Sequence, residues 1–155
     1  MRPLRVYVET SVFGGEFDPE FAAETKQFFR IVDAGQRFRV VVSEQVQKEI
    51  IPSPVEVREF YEKKAVSIEY LGLPPEVRKL ARVYIANKVF KEQAHSDALH
   101  VACAAFNHCA GLVSWNFKHI VNPDKIVRFN MINVANGFPQ LFIVSPRGII
   151  DHDER

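Results

Sequence analysis

Five short apolar runs rich in β-branched residues recur along this chain and alternate with stretches of helical period. The runs are LRVYV at 4–8, RFRVVVS at 37–43, VSIEYLG at 66–72, LVSW at 112–115 and LFIVSP at 141–146. Uninterrupted segments such as VVV and LFIV suit strands buried on both faces of a parallel sheet. VSIEYLG alternates, and so predicts a half-exposed strand. Helices are predicted over 19–34, 43–51, 54–64, 75–90, 96–109 and 124–136. Pro19 suits a first helical position and Gly35 a helix stop. The segment TSVFGG is read as a turn through Gly14 and Gly15. Strands alternating with helices leave one economical architecture, an α/β fold of three α/β/α layers around a central, mostly parallel five-stranded sheet.

The 155 residues fit a single domain over 1–150, with 151–155 expected as a frayed tail. At 47% hydrophobic and 25% charged residues, the composition supports a sizeable core and argues against disorder. No apolar run approaches the roughly 18 residues of a membrane span. MRPLRVYV is basic and then apolar, but Glu9 interrupts it before a signal-peptide core is complete. A cytoplasmic protein with no membrane association is expected. The formal net charge of +1 means that any nucleic-acid surface is local. Cys103 and Cys109 are six apart on one predicted helix and point to different faces, so they read as small buried hydrophobes rather than a disulfide.

Four polar side chains then stand out, Glu9, Glu49, Asp97 and Asn116. Each lies at or just beyond the end of an apolar segment, in VYVETS, VQKEII, HSDALHVACA and LVSWNF. In an open parallel sheet, sites form beyond the carboxyl ends of strands where the winding reverses. Glu9 follows the first strand and Asn116 the LVSW strand, so neighbouring strands would bring them together. Glu49 is three residues after Val46 and borders the buried edge of its helix. Asp97 precedes Val101 and Ala105 on a core-facing stripe. A carboxylate at an inward position is costly unless paired or bound to metal. Three acids and an amide suit a hard divalent cation. Taken singly, each has an ordinary structural role as well: a helix cap for Asp97, a solvated helix residue for Glu49, a loop acid for Glu9 and a turn residue for Asn116.

VYVETSV, VSEQVQKEI, HSDALHVACA and LVSWNFKHI, in that order, resemble the PIN domain family, and the likeness runs over nearly the whole chain. SDALHVACA followed by LVSWNFKHI is its most specific part. The resemblance implies a Mg2+- or Mn2+-dependent endoribonuclease, of a kind often found as the VapC toxin of a toxin–antitoxin pair. It implies RNA as substrate, a small antitoxin as partner and a homodimer. Glu9, Glu49, Asp97 and Asn116 fall on the family's catalytic and metal-holding positions. Glu9 stands where the family has Asp, and Asn116 where it has Asp or Asn. Thr10, Ser11 and Ser114 are candidates to orient the carboxylates, and Lys48 and Lys118 to meet RNA phosphates. The alternative is a catalytically weakened PIN domain that binds RNA or protein, a reading the Glu9 replacement favours.

Other constellations are weaker. His95, His100 and Cys103 match no zinc spacing. His119 reads as packing or RNA-facing. No G-x-S-x-G supports a serine hydrolase, and Gly14-Gly15 lacks the Gly-Lys-Ser/Thr ending of a phosphate loop.

Overall fold

A computed structural model describes residues 2–153. β1 (Leu4–Val8) leads into α1 (Thr10–Gly15) and α2 (Ala22–Asp33), then β2 (Phe38–Ser43), α3 (Glu44–Ile50) and α4 (Val55–Ala65). β3 (Glu69–Leu71), α5 (Pro75–Ala86), α6 (His95–Phe106) and β4 (Gly111–Val113) follow. The chain closes with α7 (Pro123–Ala135), β5 (Phe142–Val144) and α8 (Pro146–Asp153). The five strands form one sheet in the order β3-β2-β1-β4-β5, and every pairing is parallel. The chain builds outward from β1 to β3, returns through α5 and α6, and adds β4 on the other side of β1. The winding therefore reverses between β1 and β4. Right-handed crossovers place α5, α6 and α7 on one face and the earlier helices on the other, where α8 returns against α2.

The core follows from the strands. Val6, Tyr7 and Val8 of β1, Val40, Val41 and Val42 of β2, and Leu112 and Val113 of β4 are all buried. β3 is half-exposed, as its alternation predicts. α6 supplies an unbroken buried run from Ala98 to Ala105. Its small side chains let the helix lie close on the sheet. No helix among the described residues is long and apolar enough to cross a membrane.

Three local expectations need correction. TSVFGG is a helix rather than a turn. The Glu9 carboxylate caps it by accepting the Ser11 N–H at 3.1 Å. Gly15 is needed for close packing there: a Cβ would come within 2.7 Å of Thr25 Oγ1 and of Trp115 Nε1. Cys109 lies beyond the end of α6, after His108 in the left-handed region at φ 57°; both cysteines are buried and free. Residues 151–153 form the last turn of α8 rather than a frayed tail. Ile149 and Ile150 anchor that helix in the core, and Arg37 pairs with Asp153 at 3.1 Å. The remainder of the expected tail, 154–155, lies outside the described residues.

Candidate metal centre

Glu9 leaves β1 at the point of reversal. Its backbone N–H donates to Val113 O of β4 at 3.0 Å, which ties the two strand ends together. The side chain is 6% exposed. Burial of a carboxylate requires compensation, and two serines provide much of it. Ser11 Oγ and Ser114 Oγ each donate to Glu9 Oε1 at 2.6 Å. Each hydroxyl in turn accepts a backbone N–H, from Trp115 at 2.9 Å for Ser11 and from Asn116 at 2.9 Å for Ser114. The backbone after β4 thereby fixes the serines, and the serines fix Glu9.

Glu49 arrives from α3, near that helix's C-terminal end. Thr10 Oγ1 donates to its Oε1 at 2.5 Å and Gln45 Nε2 to its Oε2 at 2.9 Å. His100 Nε2 lies 2.9 Å from Oε1. Burial pushes the Glu49 pKa upward, but the hydrogen bonds and charge of His100, with Thr10 and Gln45, outweigh it. The result lies below the ordinary carboxylate range. His100 is fully buried on α6. Burial disfavours its charged form, yet the Glu49 hydrogen bond and the nearby Glu9, Glu49 and Asp97 charges raise its pKa overall. Ligand atoms of Glu9, Glu49 and His100 all lie within 4.8 Å of one another.

Asp97 opens α6 one turn before His100. It is half-buried, and no hydrogen bond or salt bridge reaches its carboxylate among the described residues. Burial first, and then the Glu9 charge, raise its pKa. Asn116 is half-buried after β4. Its Oδ1 accepts the His119 N–H at 2.9 Å and organises the turn after β4. The structure thus brings Glu9 and Glu49 together, places Asp97 within electrostatic reach, and ties the Asn116 oxygen into a turn. Thr10, Ser11 and Ser114 all meet carboxylates. Lys118 and His119 line a pocket of about 520 Å3 with Asp97, Lys91 and Lys125. Lys48 is exposed on α3, outside that pocket.

Set aside for want of a zinc spacing, His100 belongs to this cluster. The signal was its position three residues after Asp97, on the same helical face. Lys91 and Lys125 were also missed, because they are distant in sequence from every motif.

A divalent cation fits this donor set. Three carboxylates carry their charges into one half-buried region, and among the described residues His100 is the one basic side chain bonded to any of them and the Asp97 carboxylate has no partner. Oxygen donors of this kind match Mg2+ or Mn2+ rather than a thiolate-seeking ion.

No family model matches the chain, and no curated protein matches its sequence. Solved structures do match. A chain of VapBC2 from Rickettsia felis, solved bound to a DNA fragment from their promoter, aligns with a TM-score of 0.60 at 12% identity, covering 92% of this chain and 98% of that one. VapC20 from Mycobacterium tuberculosis, described as a sarcin-ricin loop cleaving toxin, aligns at 0.57 and 12%, covering 88% and 98%. FitAcB from Neisseria gonorrhoeae aligns at 0.55 and 12%, covering 91% and 97%. The fold is PIN-like, the one shared with these structures. At these identities the likeness concerns the course of the backbone, and the chemistry has to be argued from this chain's own side chains. The reversal between β1 and β4 is where Glu9, Glu49 and His100 gather.

Proposed function

We propose that this chain is a divalent-metal-dependent endoribonuclease of the PIN type, acting as a VapC-like toxin. The observation that carries the reading is the gathering of Glu9 and Glu49 with His100 within 4.8 Å, with Asp97 in electrostatic reach, at the end of the sheet where the winding reverses. Glu9, Glu49 and Asp97 would hold Mg2+ or Mn2+, with Asn116 contributing through water. Such an ion supplies Lewis acidity toward the phosphate and the attacking water.

The protein's own groups do the rest. Ser11 and Ser114 hold Glu9, and Thr10 holds Glu49, so the carboxylates are oriented before substrate arrives. Lys91, Lys118, Lys125 and His119 surround the pocket beside Asp97 and take the phosphates flanking the cleaved bond. Lys125 is braced for this, with Nζ 3.1 Å from Val89 O and 5.3 Å from the centroid of Phe90. Lys48, exposed on α3 and outside that pocket, is a further candidate to meet RNA phosphates. Water attacks the phosphorus in line, the bond to the 3′ oxygen breaks, and a 5′-phosphate and a 3′-hydroxyl result. RNA is favoured as substrate because VapC20 is described as cleaving the sarcin-ricin loop. The likeness to a toxin–antitoxin complex from Klebsiella pneumoniae supports a small antitoxin partner, and a cytoplasmic homodimer completes the proposal.

The test is cleavage of single-stranded and hairpin RNA with and without Mn2+. Cleavage should require the ion and fall by about 100-fold or more in Asp97→Asn. Cleavage that survives chelation, or is untouched by Asp97→Asn, contradicts the assignment. Mn2+ binding without cleavage would favour the catalytically weakened binding module.

A further inference from the structure

α3 begins and ends on the same chain of hydrogen bonds. Ser43 caps its first turn, accepting the Gln45 N–H at 3.1 Å and the Val46 N–H at 3.5 Å. With its lone pairs so occupied, the Ser43 hydroxyl proton is left for Tyr7 OH, 2.6 Å away. Tyr7 OH is also 2.6 Å from His100 Nδ1, and His100 Nε2 is 2.9 Å from Glu49 Oε1, near the far end of the same helix. Tyr7, Ser43 and His100 are fully buried. The path runs from Ser43, at the end of β2 and the cap of α3, through β1 and α6 to the far end of α3.

The direction of the chain follows from its last link. An ionised carboxylate only accepts, so His100 Nε2 must carry the proton. This holds for the neutral ring, in which Tyr7 OH donates to Nδ1, and equally for imidazolium. A nitrogen that donates to Glu49 has no lone pair to offer a cation. His100 therefore does not coordinate, although it lies within reach of both glutamates.

We infer that Ser43, Tyr7 and His100 form a buried strut that positions the Glu49 carboxylate, with His100 a positioning residue and not a ligand. The inference rests on the metal-centre reading above. The strut leaves one Glu49 oxygen held by Thr10 and His100 and the other held by Gln45 alone, the freer oxygen for a cation. Tyr7 is the link with no substitute. It is the hydroxyl that bonds both Ser43 and His100, each at 2.6 Å.

Two measurements decide this. A long-range 1H–15N correlation spectrum of the histidine side chains reads the tautomer. The His100 proton should be on Nε2 in the metal-free protein and stay there when Mg2+ is added. A proton on Nδ1 alone removes the donor to Glu49, and a move to Nδ1 with Mg2+ frees Nε2 for the ion; either overturns the inference. Calorimetric Mn2+ titration then measures the strut. His100→Leu should weaken binding about 10- to 100-fold, and His100→Gln, which keeps an N–H donor, should recover part of the loss. Tyr7→Phe keeps the ring and packing and should also weaken binding, by less. A folded Tyr7→Phe or His100→Leu with wild-type Mn2+ affinity overturns the inference while leaving the metal centre standing. Failure of the wild-type protein to bind Mn2+ overturns the nuclease reading, and this inference with it.

Discussion

Glu49 and Asp97 share one pocket of charge, yet folding shifts their pKa values in opposite directions. Glu49 is held below the ordinary range, so its contribution to stability is present above the unfolded pKa and is lost as pH falls through the folded one. Asp97 is held above the ordinary range, so it opposes folding at neutral pH and ceases to do so as pH falls through its folded pKa. In metal-free protein, Glu49→Gln should lower stability at pH 7 by roughly 1 kcal/mol, the scale of a hydrogen bond to a charged group weakened to a neutral one. Asp97→Asn should raise the melting temperature at pH 7 by about 2–4 °C, the effect of roughly 1 kcal/mol in a chain of this length. The Glu49 difference should fade as pH falls through that group's lowered folded pKa, and the Asp97 difference as pH falls through its raised one. Thermal melts across pH check the pair, and a lower melting temperature for metal-free Asp97→Asn at pH 7 contradicts the repulsion argued here. Much of this residue-scale picture was legible in the sequence. Carboxylates that interrupt apolar segments mark positions where burial and charge conflict. His100 was not legible, because a histidine in a helical apolar run looks like packing until its partners from β1 and α3 are seen.

Among the elements, α1 is the least foreseeable. Two consecutive glycines after a strand are a strong turn signal, and a six-residue helix has little propensity of its own. Its stability comes from outside, from the Glu9 cap and from Gly15 lying against α2 and the loop after β4. Trp115 Nε1 donates to Thr25 Oγ1 at 2.9 Å, and the indole stacks on Phe21 with centroids 4.2 Å apart. A methyl on Gly15 would drive into both partners of that hydrogen bond. Gly15→Ala should therefore destabilise by about 1–3 kcal/mol, the usual scale of overpacking. Denaturant unfolding measures it, and an unchanged midpoint would show that the region yields more easily than the geometry implies. The longer elements were legible because their periods are regular. Their ends were less so: α5 stops at Ala86, where Asn87 and the left-handed Lys88 turn the chain, rather than continuing to Phe90.

For the molecule as a whole, strand order explains why a site exists at this end of the sheet. Continuous apolar runs made the parallel sheet legible, but the order β3-β2-β1-β4-β5 depends on contacts far apart in sequence. Only that order puts Glu9 and the Ser114–Asn116 segment side by side. It also leaves like charges gathered with few basic partners, an arrangement that makes the metal-free fold less stable than it need be. A cation that binds only the folded state adds stability by mass action, about 2.7 kcal/mol at a hundred times its dissociation constant. The most direct test is calorimetric titration of Mn2+ into the metal-free protein beside Glu9→Gln and Asp97→Asn. The account predicts saturable binding by the wild type and affinity lower by about tenfold or more in each variant. Absence of binding, or equal affinity in all three, would contradict the claim that these carboxylates converge to hold an ion.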